Sequence, residues 1–477
     1  MRSFPRRGRL VAGALLPLAL VACGGGSKRS ASQTAAPTTS AAPTTSSTTA
    51  PPLPSPGGQV AALGSAGAVQ ATLSLGVHRE FLPRCAVSDL VVPDLPGLTD
   101  RAFAVEEPGV IRVLDLSAAA PRLERAIELQ ATRLAPGQAM GALSIQDEHT
   151  ALAVSSGTGA EAIWLFDPTS ARGPSDVRRL DVGHLTVTWP AGTQNSAGAD
   201  VGGQPRPISF VSGAALAGGR LWFTSSNFDQ SFDLDPGTLF AYDWDPVQQQ
   251  ASGGAVLRTS SFNPTGLTRL VTPRGELLLV TCSGLYGQGP SSVDVVDPRG
   301  PALVGRIDLG AVNVSGRVRV SPDGRRGYVG SQSGAAVHVL DLNGLGDLIG
   351  QSGSADLSAR HLGAWGLPAA AGGAHYLSSL ALSHTGNYLY AASFNESAVY
   401  VIDLAAPGLA TVVRGFARSG DPANFEGQAS LLAVRPGTPG VDFQGPSLLV
   451  ATINLAPADQ TTPDVRVALD AVELDRH

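Results

Sequence analysis

What this sequence has least of is lysine: Lys28 is the only one in 477 residues. Lys plus Arg total 33 against 39 Asp plus Glu, a formal net charge of −6, and no basic block occurs beyond the N-terminus. That balance argues against a nucleic-acid partner. The apolar run Val11–Ala22 falls short of the roughly 20 residues a bilayer-spanning helix needs. Histidine is sparse, with His78, His149, His184, His338, His361, His375, His384 and His477 and no His-x-x-x-His or Glu-x-x-His spacing, so no metal and no cofactor are expected. A Gly-x-Ser-x-Gly nucleophile elbow is also missing. Charged residues make up 15% of the chain, against roughly 25% in an average globular protein. What is abundant is Gly (57), Pro (35) and apolar residues (43%). The chain is too apolar for disorder and too rich in breakers for long helices, so the expected class is all-β, with many short strands joined by tight turns.

The N-terminus reads as an address. Arg2, Arg6, Arg7 and Arg9 precede Val11–Ala22, which ends in Leu20-Val21-Ala22-Cys23 followed by Gly24-Gly25-Gly26. Charged start, short apolar run, small residues and Cys together resemble a bacterial lipoprotein signal peptide. The resemblance implies that residues 1–22 are removed and that Cys23 carries diacylglycerol, with palmitate as a further acyl group. Residues 23–60 then form a Ser/Thr/Pro/Ala-rich linker, which has nothing to bury in a core and holds the following domain off the membrane.

From residue 61 to 477 one pattern recurs: an alternating apolar strand, a turn, a second strand, a loop, then a strand closing in Asp. VRVSPDGRRGYVGSQSGAAVHVLDL (318–342) and LALSHTGNYLYAASFNESAVYVIDL (380–404) align residue for residue. Weaker copies end at Asp115, Asp167, Asp243 and Asp297, and a last one lies within Ser447–Leu474. Asp-Gly and Thr-Gly between alternating strands are hairpin chemistry. Repeats of this kind build β-propellers. The sequence here resembles the YVTN-type, lactonase-like seven-bladed propellers, whose blades carry SPDG-x-x-x-YV and then VxVID. That resemblance implies one domain, a seven-bladed propeller of four-stranded antiparallel blades, with the strand Val69–Val77 closing the last blade. Family members that hydrolyse lactones open a blade with Pro-Arg-His, whereas Ser315-Gly316-Arg317-Val318-Arg319-Val320 keeps only arginine. Trp244-Asp245 follows a strand and does not support a WD-repeat assignment.

In a propeller, first-strand hairpins lie on one face and crossovers on the other. The long segments Gly183–Pro207, Ser225–Gly237, Ser283–Ser292, Gln351–Ala374 and Gly415–Glu426 are assigned to the crossover face, which becomes the candidate binding face. Its candidate residues are His184, Trp189, His361, Trp365, His375, Tyr376, Arg418, Asp421, Phe425 and Glu426, because aromatic and Arg side chains concentrate at binding hot spots. Asp229, Asp233 and Asp235 offer alternating oxygens to calcium without EF-hand order, and an ordinary hairpin explains them as well. Cys85 and Cys282 fall on blades three apart, which favours two buried free thiols over a bridge. The expectation for function is a lipid-anchored bacterial cell-envelope protein, a monomeric propeller binding or scaffolding a protein or small-molecule ligand through its loop-rich face. The alternative is a lactonase-like hydrolase or isomerase at the channel mouth, with His375 or Glu426 as base.

Overall fold

The glycine turns and the recurrent aspartates set the local geometry. Gly324 and Gly386 lie at φ +70° and +77°, a region that residues with a Cβ rarely adopt. Their amides donate back to Ser321 and Ser383 at 2.8 and 3.0 Å. A Cβ on Gly386 would meet Pro322 Cδ at 2.6 Å, so neighbouring hairpins nest. The repeated Asp caps the next turn: Asp115, Asp167, Asp297 and Asp341 accept the amide two residues on, at 2.8, 2.7, 3.0 and 3.1 Å. This is the Asx-turn that Asp forms with its own backbone. The motif is therefore structural. In the copy expected to end at Asp243 the strand runs on, as Thr238–Asp245, and Asp245 makes the turn to Val247 at 2.8 Å. Trp244 and Asp245 thus end a strand, contrary to the expectation that they follow one.

In the computed structural model the described residues are 61–63, 68–78, 87–106, 109–118, 120–130, 139–157, 161–229, 233–248, 250–285, 289–332, 336–367, 377–394, 396, 398–404, 409–413, 428–435, 446–455 and 465–473. They form a β-propeller of antiparallel blades with at least four strands each. Six blades are contiguous in sequence: blade 1 at 87–128, blade 2 at 139–181, blade 3 at 211–258, blade 4 at 264–310, blade 5 at 314–366 and blade 6 at 377–413. One further sheet is composite. Its strands Gln428–Val434, Pro446–Leu455 and Val465–Glu473 are completed by Ala68–His78, which runs antiparallel to the last of them from Ala68↔Glu473 to His78↔Val465. The ring has six blades of contiguous chain where seven were expected, and the remaining sheet is made by both ends of the chain. Ala61–Leu63 adds a parallel fifth strand to blade 6.

Side chains alternate between the two faces of each blade and bury against both neighbours. Val337 and Val339 pack toward blade 6, beside Trp365, Leu389 and Tyr400. Leu340 packs the other way, with Ile307 and Leu309 of blade 4. The first strand of each blade lies innermost. Val87–Val91 touches both Ala139–Asp147 and Gln428–Val434, which closes the ring.

The entrance to the inner strand is a sharp corner in three consecutive blades. Phe210, Asn263 and Asn313, each just before an inner strand, hold φ of 60°, 54° and 48°. The carbonyl of each accepts the amide of Ser226, Ser283 or Gln332, just past the second strand of the same blade.

One long segment lies elsewhere than expected. Residues 342–360 join the third and fourth strands of blade 5, on the short-hairpin side of the ring. There Ala355–Asp356 pairs with the outer strand of blade 4 (Gly305↔Ala355). Only after this strap does the fourth strand begin, so His361 and Trp365 belong to strand His361–Gly366 and not to a loop.

Candidate functional site in the central channel

Inner strands of blades 1, 5 and 6 and of the closing sheet bring an arginine pair into the channel. Arg317 and Arg319 alternate with Val318 on the first strand of blade 5, and Val318 is buried in the core with blade 4. Both arginines therefore face the axis. The Arg317 Nη2 reaches across the channel to Asp89 Oδ2 on blade 1 at 2.8 Å and to the Leu143 carbonyl on blade 2. Asp89 Oδ2 also accepts the Leu143 amide at 2.8 Å, while Oδ1 accepts the Leu90 amide at 2.9 Å. Three blades are braced by one ion pair.

Arg319 is held differently. Its Nε donates to the Leu380 carbonyl of blade 6 at 2.6 Å, and among the described residues its two Nη groups make no hydrogen bond. Loss of hydration, together with the nearby charge of Arg317, pulls its pKa down to about 10, against the opposing pull of Asp89. At any physiological pH it is a cation.

The two arginines, with Leu90 and Leu432, border two cavities. The one toward the crossovers is small, about 80 Å³. The one toward the short hairpins is about 460 Å³, within the roughly 300–1,000 Å³ typical of small-molecule sites. Its rim carries Ser383, His384 and Asp94, with His384 Nδ1 3.5 Å from Asp94 Oδ2.

The crossover face holds a second built feature. The crossover 183–207 folds onto 226–229 and 233–237 of blade 3. Ser196 and Leu234 exchange two hydrogen bonds, each 2.8 Å. Arg206 pairs with Asp235, and Ser209 Oγ donates to the Phe228 carbonyl at 2.6 Å. Phe210 and Phe228 meet edge to face, with ring centroids 5.0 Å apart.

The candidate residues scatter over this frame. His184 is exposed on the platform. Trp189 is 5% exposed and packs under it beside Val187 and Ile208. Trp365 is 4% exposed, its ring 5.9 Å from that of Tyr328 between blades 5 and 6. His361 is half-buried, with Nε2 3.1 Å from Nδ1 of buried His338. Burial, and then the neighbouring imidazole, pull the His338 pKa down to about 4, so that ring is neutral. His375, Tyr376, Arg418, Asp421, Phe425 and Glu426 lie outside the described residues, as do Cys23 and Cys85.

Asp235 is committed to Arg206, and burial raises its pKa in spite of that pairing. Asp229 accepts the Asp233 amide at 3.0 Å and donates its own amide to the Asp233 carbonyl at 2.9 Å. These are the bonds of a tight turn. Cys282 is a buried free thiol whose pKa burial pushes up, with Asp294 adding to the shift. A protonated thiol of this kind is inert. Asp294 itself accepts Ser260 through both its amide, at 2.7 Å, and its hydroxyl.

Arg319, Arg317 and Asp89 are the site residues that sequence reasoning did not assign. The retained arginine in the Ser315–Val320 stretch was the available signal. Its partner lies 228 positions away.

No protein-family model matches the chain, and no curated protein is detectably similar to it. Among solved structures, the chain is similar to the β-propeller domain of Myceliophteria thermophila Cps50 (Swd1), at 14% identity and a TM-score of 0.46, over 83% of this chain and 99% of that one.

Proposed function

We propose that this chain is a binding or scaffolding module of the bacterial cell envelope, held to a membrane by lipid on Cys23 and presenting the crossover face of its propeller to a partner. The observation that supports the binding reading is the platform made by 183–207 with 226–229 and 233–237. Loops already fixed by hydrogen bonds and an ion pair lose little further freedom on association. His184 stands exposed on that platform. From the sequence pattern alone, His375, Tyr376, Arg418, Asp421, Phe425 and Glu426 are assigned to the same candidate face.

The anchor rests on the sequence: Leu20-Val21-Ala22-Cys23 after a short apolar run, then a linker that lets the propeller stand clear of the surface. Removal of residues 1–22 takes away four arginines and no acid, leaving −6 − 4 = −10. An acidic body of that charge has no electrostatic reason to lie flat on an anionic membrane. The experiment is fractionation with intact-mass analysis. Wild type is expected in the membrane fraction, with a mass that begins at Cys23 and includes acyl chains. Cys23→Ser is expected to lose the lipid and its membrane retention. A wild-type mass retaining residues 1–22, or a chain cut after Cys23 without lipid, refutes the anchor.

A further inference from the structure

We infer that the channel cavity on the short-hairpin side binds a small oxyanion, a carboxylate or phosphate group, with Arg319 as its principal ligand. Arg317 is paired with Asp89 within the brace, so among the described residues the two arginines and one carboxylate leave one uncompensated positive charge at the cavity floor. The Nε bond to Leu380 fixes the plane of the Arg319 guanidinium. Its Nη groups are left to the cavity. A planar pair of N–H donors on a fixed cation matches a carboxylate or phosphate edge in geometry and sign.

A purely structural role for Arg319 accounts for less. A tie to one carbonyl needs only one neutral donor, whereas the Arg319 Nη groups, which have no protein acceptor among the described residues, open onto the cavity with the charge undelivered to any carboxylate. Among the described residues, the other titratable groups at the cavity are Asp94 and His384 on its rim. Asp94 is 67% exposed and beside His384, so solvent screens it from a ligand at the floor. Leu90, Val320 and Leu432 form apolar parts of the wall beside the cation, where a charge-assisted contact is stronger than in open water. This site is distinct from the crossover-face platform, and either can fail without the other.

The test is calorimetric titration of the purified full chain with inorganic phosphate and, separately, with succinate, ionic strength being held constant with chloride. At least one is expected to bind with a dissociation constant of about 1 mM or tighter, and which one binds distinguishes a phosphate ligand from a carboxylate. Arg319→Gln is expected to weaken binding by about tenfold or more, from loss of a charge-assisted contact. Arg319→Lys keeps the charge without the fork and should fall between the two. Should Arg319→Gln not fold, phenylglyoxal modification of the wild-type protein decides. Arg319 is then expected to be protected by the binding anion, as read by peptide mass mapping. Absence of binding by both anions, binding unchanged in Arg319→Gln, or modification of Arg319 unaffected by the anion overturns the inference.

Discussion

A chain beginning at residue 79 is expected to lose the single cooperative unfolding transition of the full protein and to aggregate at concentrations where the full protein is monomeric. The truncation removes Ala68–His78, the fourth strand of the composite sheet. It leaves Val465–Glu473 with an open row of unpaired amides and carbonyls. Such an edge is a template for pairing with other chains. The total stability of a domain is only about 5–15 kcal/mol, so the loss of a whole ladder and of ring closure consumes a large part of it. The reciprocal experiment uses the observed register. Ser74 lies opposite Ala468, and a disulfide between Ser74→Cys and Ala468→Cys should stabilise the ring by about 2–4 kcal/mol. Thermal melts by circular dichroism, with size-exclusion chromatography, read both. A truncated chain melting within about 1 °C of the full one, a shift worth about 1 kcal/mol for a domain of this size, would mean that the ends do not close the ring.

Replacing Trp365 by alanine is expected to cost about 3–5 kcal/mol of stability, the range for a large aromatic removed from a core. The ring is 4% exposed and packs with Tyr328, Leu389 and Tyr400 across the interface of blades 5 and 6. Chemical denaturation measures the loss directly as a fall in midpoint. His184→Ala, at an exposed platform position, should stay within about 0.5 kcal/mol of wild type. If Trp365→Ala left stability unchanged and removed only partner binding, Trp365 would be a surface anchor after all.

These two cases mark what the sequence could and could not reveal. Asp-Gly and Thr-Gly turns are legible because a positive φ needs glycine within four residues of chain, and the terminal Asp because its Asx bond spans two. Ring closure by Val69–Val77 was legible because the last copy held three strands and lacked a fourth. Sidedness was not. A long segment looks the same in sequence whether it crosses to the next blade or straps back over the previous one, so Gln351–Ala374 reads as one crossover loop, whereas its first part, 351–360, belongs to the strap on the other face and Trp365 to a strand. Of the three corners, Asn263 and Asn313 carry the asparagine usual at positive φ, whereas Phe210 is a bulky side chain that gives no such signal. The channel site was least legible. Arg317, Arg319 and Asp89 converge only through the closed ring, from blades whose sequence separation gives no hint of proximity.

The most direct test of the proposed binding face is photo-crosslinking in intact cell envelopes, with a benzophenone amino acid placed at position 184 on the crossover platform or at position 149 on the opposite hairpin. Both His184 and His149 are exposed, so either position tolerates the probe. A discrete adduct from position 184, absent or much weaker from position 149, is the expected result. Equal adducts from the two positions, or an adduct from position 149 alone, would contradict it.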